Sequence, residues 1–174
     1  AGQPEPNIVT WTRSEIAPAS ITTLPTVIAE VNGGGLAVED VDGDGDEDLL
    51  VTTPGTMNTS GTLRLYRNQG RGQFLADPAM DFEGVQGWLT GLATADFDQD
   101  GHLDVVVGRL GTDLFLRGTP EGFSPPTELP GLGWTTSMAA ADLDGDGDRD
   151  LLRVRYLEFD PIAPPPPGTY KGIE

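Results

Sequence analysis

A chain of 174 residues in which Gly (24) and Pro (15) exceed a fifth of the length is rich in turns, which favours β structure over helix. With 28 acidic against 10 basic residues and a net charge of −18, it repels nucleic acid and anionic membrane surfaces, and no apolar run approaches the roughly 20 residues of a transmembrane helix. There is no cysteine, so neither disulfides nor thiolate-bound zinc or iron–sulfur centres hold the fold.

The chain opens on Ala1 and a short polar lead, which suits a secreted protein after its leader is removed and equally a segment excerpted from a longer chain. Residues 8–11 (Ile-Val-Thr-Trp) and 26–31 (Thr-Val-Ile-Ala-Glu-Val) then read as strands without an acidic cluster. They are expected to cap the first of three repeated units or to supply its outer strands. The units align without a gap over residues 35–55, 91–111 and 137–157. Their first aspartates, Asp40, Asp96 and Asp142, lie 56 and 46 residues apart, about the length of a four-stranded propeller blade.

Each unit repeats one local grammar. A short strand of small apolar residues leads in, at 36–38, 92–95 and 138–141. An Asp/Gly loop follows, and then a strongly apolar strand at 49–51, 103–107 and 151–154, which reads as buried β. Pro54-Gly55 and Gly108 are expected to close that strand. Thr62-Leu63-Arg64-Leu65-Tyr66-Arg67 alternates polar with apolar and reads as a half-buried antiparallel strand. Residues 68–72 form a turn, and a fourth strand starts at Gln73-Phe74-Leu75. Residues 113–123 echo this in the second unit. The third unit runs instead into Asp160-Pro161 and Pro164 to Pro167. The chain therefore divides into 1–34, a cap of outer strands; 35–90, the first repeat; 91–136, the second; 137–160, an incomplete third; and 161–174, a Pro-rich tail or linker. The expected architecture is all-β, with blades of antiparallel strands in an incomplete or open propeller.

Fifteen of the 28 acids fall in three short windows, whereas a merely solubilising surface would disperse them. The windows read D-x-D-x-D-G-x-x-D three times: Asp40, Asp42, Asp44 and Asp48; Asp96, Asp98, Asp100 and Asp104; Asp142, Asp144, Asp146 and Asp150. Calcium takes six to eight oxygen ligands in flexible geometry. Carboxylates at positions one, three and five of a tight loop converge on one point, and the sixth-position glycine (Gly45, Gly101, Gly147) permits a sharp turn. That turn aims the main-chain carbonyl of Asp46, His102 or Asp148 at the ion, and the ninth-position Asp closes the shell. Three Ca2+ ions are expected. Magnesium demands a tighter octahedron and sheds water reluctantly. Helix-flanked calcium loops need an acid at position twelve, which here is Val51, Val107 or Arg153.

This loop between two strands, followed by apolar runs, resembles the FG-GAP/VCBS repeats of integrin-α-like β-propellers. Leu65-Tyr66-Arg67-Asn68 ahead of Gly70, Gly72 and Phe74 is similar to a segment of bacterial VCBS-type extracellular proteins. The resemblance covers residues 26–157. It implies blades around an axis, calcium at the loops between first and second strands, and the loop aspartates as ligands. The sequence departs from the pattern in lacking Phe-Gly before the first strand. In place of Gly-Ala-Pro it has Thr52-Thr53-Pro54 and Gly108-Arg109-Leu110. Three units also fall short of the four to eight blades that close a propeller.

No serine lies in a nucleophile-elbow setting, and the single histidine, His102, is expected to present an exposed ring. The chain reads as a non-enzyme. Trp88 and Trp134 are expected to pack between units, and Asn58-Thr59-Ser60 fits a glycosylation acceptor. The expected role is a secreted or cell-surface calcium-binding module with a structural or adhesive function. Its partner would be a protein, a glycan or further copies of itself, with a fibre as one form of assembly. The alternative is a non-catalytic propeller segment of a larger secreted polysaccharide-active enzyme.

Overall fold

The computed structural model describes residues 33–56, 59–78, 82 and 84–156. The strands expected at 8–11 and 26–31, Asn58 and the Pro-rich tail lie outside the described residues. Among the described residues there are ten strands and no helix: β1 (Leu36–Glu39), β2 (Asp48–Thr56), β3 (Thr59–Asn68), β4 (Phe74–Ala76), β5 (Leu89–Ala95), β6 (Asp104–Leu116), β7 (Gly118–Thr119), β8 (Gly122–Phe123), β9 (Thr127–Ala141) and β10 (Asp150–Arg155). They form two antiparallel four-stranded sheets, in the orders β1-β2-β3-β4 and β10-β9-β6-β5, with β7-β8 as a small ribbon. The all-β, propeller-like reading of the sequence is borne out.

The first sheet follows the repeat grammar. The lead-in strand β1 pairs with β2 from Leu36↔Val51 to Glu39↔Asp48, so the Asp loop is the hairpin between them. Along β3, Leu63 and Leu65 are buried while Thr62 and Arg64 are exposed, the alternation that a sheet with one solvated face requires. Pro54 and Gly55 do not end β2 as expected. They lie inside it, because the ladder steps from Thr53↔Thr62 to Gly55↔Ser60 and asks no hydrogen bond of the Pro54 nitrogen.

The second sheet uses longer strands. Thirteen residues of β6, fully extended, would span about 40 Å. Yet the Gly118 amide, just past its end, donates to the Asp104 carboxylate at its start (2.7 Å). β6 therefore doubles back, at Gly111, whose φ of 117° is open to glycine. The second and third strands expected of this unit are its two halves, and the bend lies three residues beyond Gly108. Likewise β9 first pairs with β6 and then with β10, so one strand serves the outside of the second unit and the lead-in of the third.

The core lies between the first and second units. Leu50, Leu63 and Leu65 pack with Leu89, Leu92, Val105, Val107, Leu114 and Leu116. The lead-in strands approach closely: a Cβ on Gly35 would lie 2.7 Å from the Leu92 nitrogen. Trp134 is buried within β9, its ring edge-on to Tyr156 at 5.5 Å, so it packs between the second and third units.

Candidate metal centres

The three Asp loops share one conformation, and the first-position carboxylate organises it. Asp40 accepts from the amides of Gly43 (2.8 Å), Asp44 (3.1 Å) and Gly45 (3.0 Å). Asp96 accepts from Asp100 (3.0 Å) and Gly101 (2.9 Å), and Asp142 from Gly145 (2.7 Å) and Gly147 (3.1 Å). The third- and fifth-position carboxylates each accept from the amide two residues on. The third-position bonds are 3.2 Å in all three loops, the amides of Asp44, Asp100 and Asp146 donating to Asp42, Asp98 and Asp144. The fifth-position acceptors Asp44, Asp100 and Asp146 take the amides of Asp46, His102 and Asp148. These are Asx turns, in which a side chain replaces the missing backbone ladder.

The sixth-position glycines all have positive φ, 92° at Gly45, 87° at Gly101 and 98° at Gly147, with open space where a Cβ would stand. Conformation, not room, selects glycine there. The fourth position is left-handed too, a requirement not visible in the motif. Gly43 and Gly145 meet it at 74° and 80°, while the second loop places Gln99 there at 59°.

Carboxylate oxygens gather within 4.8 Å of one another in three groups: Asp40, Asp42 and Asp44; Asp96, Asp98 and Asp104; Asp142, Asp144 and Asp146. Each is an oxygen-only, hard donor set suited to calcium. The ninth-position carboxylates do a second thing. Each accepts the amide of the loop's second residue: Asp48 from Val41 (3.3 Å), Asp104 from Phe97 (2.9 Å) and Asp150 from Leu143 (2.9 Å). Asp48 and Asp104, 1 % and 0 % exposed, also accept from the third strand of their units, through the amides of Asn68 (2.8 Å) and Gly118 (2.7 Å). They tie loop to sheet as well as standing at the loop mouth. The side chains of Asp46, His102 and Asp148 lie outside the three groups; their expected contribution is a main-chain carbonyl. His102 is half-buried, not exposed as expected, because the chain at Gly118 crosses it: a Cβ there would come 3.0 Å from that of His102.

Each loop relieves its crowded charge differently. In the first, Arg67 bridges Asp42 (3.1 Å), Asp48 (2.9 Å) and Asp77 (3.2 Å). Burial disfavours its charge, but the hydrogen bonds it donates to Asp77 and Asp48 and the attraction of Asp42 outweigh this and push the guanidinium pKa up. In the second, Arg117 holds Asp98 and reaches Asp100 (3.9 Å). Burial still raises the pKa of Asp104, against the lowering effect of the Gly118 and Phe97 amides and with repulsion from Asp98 and Asp100. In the third loop no arginine pairs with a carboxylate among the described residues. Asp146 is held below the usual carboxylate range by the Asp148 amide and side chain, and Asp148 is pushed up by that same side-chain hydrogen bond. Arg67 and Arg117 stand just before Asn68 and Gly118, the residues that cap the ninth-position Asp. Sequence reading quoted Arg67 within a motif and gave it no part in the loop. The signal was there: a basic residue directly before the turn in both complete units.

Residues 40–107, which hold the first two loops and the strands between them, match the family model of the FG-GAP-like repeat. No curated protein matches the chain.

Proposed function

From the premise that residues 40–107 form an FG-GAP-like repeat segment of β-propeller type, we propose that the protein is a non-catalytic, calcium-stapled repeat module that works outside the cell in a structural or adhesive role toward a protein or glycan. The observation that carries this reading is the threefold recurrence of one loop. Three carboxylates stand within 4.8 Å in each copy, on a backbone already wound by its own amides. Such a loop offers a cation a preformed cradle and gains most from it, since neighbouring carboxylates that repel one another share one counter-charge.

Calcium is the ion that fits the donor set. It accepts many carboxylate and carbonyl oxygens, and extracellular modules hold it with dissociation constants of about 10⁻⁴–10⁻³ M. The chemistry offered is structural. Ligands drawn from a hairpin and tied to the third strand by Asp48 and Asp104 join three strands at each of the first two sites. No helix among the described residues is long and apolar enough to cross a membrane.

Thermal unfolding with and without chelator tests the proposal. A saturating ligand at a hundred times its dissociation constant adds about 2.7 kcal/mol for each site. Chelation is expected to lower Tm steeply, and Asp44→Ala to remove the first site while leaving the other two. An unchanged Tm on chelation would refute the reading.

A further inference from the structure

The two internal joints between units use the same three positions and fill them with opposite chemistry. The repeat sets Leu89 against Thr135 and Val107 against Arg153. Counting back five residues from Asn68 and Gly118, which cap the ninth-position Asp, sets Leu63 against Asp113. Between the first and second units the three residues are Leu63, Leu89 and Val107, all buried in one apolar core. Between the second and third they are Asp113, Thr135 and Arg153. Asp113 is 0 % exposed, and its Oδ2 accepts from the Thr135 hydroxyl (2.9 Å) and the Arg153 guanidinium (3.1 Å), with Arg155 at 3.8 Å. A buried apolar contact in one joint is thus a buried ion pair and hydroxyl in the other, at the same place.

We infer that Asp113, Thr135 and Arg153 form a key that fixes the order in which the units dock, the third on the second and not on the first. A buried ion pair in place of well-packed apolar side chains adds little net stability, because desolvation offsets the attraction. What it changes is discrimination, since a wrong partner leaves a buried charge unpaired. Were the third unit to dock on the first, Arg153 and Thr135 would meet Leu63, and the guanidinium would lose its carboxylate in an apolar core. Were the Leu89 and Val107 face of a second unit to meet the Asp113 of another copy, that carboxylate would be buried with neither its hydroxyl nor its guanidinium. Units that repeat one grammar are otherwise prone to dock out of order, within a chain or by exchange between chains. None of the three residues belongs to the gathered loop carboxylates, so the key stands apart from the calcium reading.

Copying the first joint into the second tests it. The variant Asp113→Leu, Thr135→Leu, Arg153→Val reproduces Leu63, Leu89 and Val107. Asp113→Leu alone strands Arg153, which keeps only the Pro130 carbonyl (3.3 Å) and Arg155 as neighbours, and is expected to lower Tm by about 5–10 °C. The triple variant is expected to regain most of that loss, the Arg109 amide being left without its Asp113 acceptor (3.1 Å). The chain holds no cysteine, so cysteines introduced at the exposed Arg64 and Arg149 carry spin labels on the first and third units alone. Pulsed electron resonance after refolding from urea in calcium buffer, with labelled chain diluted into unlabelled, reads their separation within one chain. The chain with the native key is expected to show one separation. The triple variant is expected to lose part of that population to a second separation or to exchange between chains. Where the triple variant does not fold, Asp113→Leu with Arg153→Val, which keeps Thr135, takes its place; failure of both to fold would show that the joints are not equivalent and overturn the inference. A triple variant that refolds to one separation as cleanly as the native chain, or Asp113→Leu without effect on Tm, also overturns it. A chain that behaves as expected here without binding calcium overturns only the function proposed above.

Discussion

Truncating the ninth-position aspartate of each loop in calcium-free protein separates its structural role from metal binding. Asp48→Ala leaves the amides of Val41 and Asn68 without their acceptor and takes from Arg67 its 2.9 Å partner. Removing one member of a buried ion pair costs about 3–5 kcal/mol, and each buried donor left unsatisfied about 1–3 kcal/mol. Arg67 keeps Asp77 and Asp42 and is 17 % exposed, so the lower part of that range applies, about 2–4 kcal/mol. Asp104→Ala orphans the amides of Phe97 and Gly118 in a fully buried site. A similar loss of about 2–4 kcal/mol is expected, since shedding a charge that burial and Asp98 disfavour offsets part of the cost. Asp150→Ala loses only the bond from the exposed Leu143 amide and should cost roughly 1 kcal/mol or less. Urea unfolding followed by tryptophan fluorescence in excess chelator measures all three. Against a total stability of about 5–15 kcal/mol the differences are large. Equal and negligible effects at the three positions would show that these carboxylates serve only an ion, and would refute the loop-to-sheet tie.

Gln99→Gly should stabilise the protein by up to about 1 kcal/mol, because a left-handed Gln costs about 1–2 kcal/mol and glycine's extra entropy returns part of the gain; a lower Tm would contradict this. Arg117→Ala removes an exposed cation from the second loop and should raise its calcium affinity by up to about fivefold, the scale of a surface ion pair, as read by calcium titration; weaker binding would contradict it. Acidification should weaken calcium binding at the second site, since the raised pKa of Asp104, one of its gathered carboxylates, lets protons compete there as pH falls; residue-resolved NMR during a pH titration reads the loss. The sign reverses for stability without calcium. The folded state holds the Asp104 proton more tightly than the unfolded chain, so it gains as pH falls from neutrality through that raised value and loses as pH rises past it.

The hairpin loops and the strands around them were legible because the sequence states them three times. The spacing of the Asp residues, the sixth glycine and the apolar run after the ninth position each correspond to a feature of the folded loop. The bend of β6 at Gly111 and the passage of β2 through Pro54 were not legible, since both depend on which neighbouring strand supplies the ladder. The left-handed fourth position was hidden by Gln99, which breaks the glycine pattern of Gly43 and Gly145. The part taken by Arg67 and Arg117 could not be read from spacing, because their distances along the chain from Asp48 and Asp104 differ and only the sheet brings them to the same place. Buried Asp113 was missed for the same reason. It is an isolated acid in the sequence, but in the fold it accepts from Thr135 (2.9 Å) and Arg153 (3.1 Å), joining the second unit to the third.

Equilibrium dialysis of the full chain against buffered calcium, with magnesium as competitor, tests the central claim most directly. Three calcium ions per chain are expected, falling to two in Asp44→Ala, with magnesium failing to displace them. A chain that takes up no calcium at extracellular concentrations, or whose uptake is unchanged by that substitution, would contradict it.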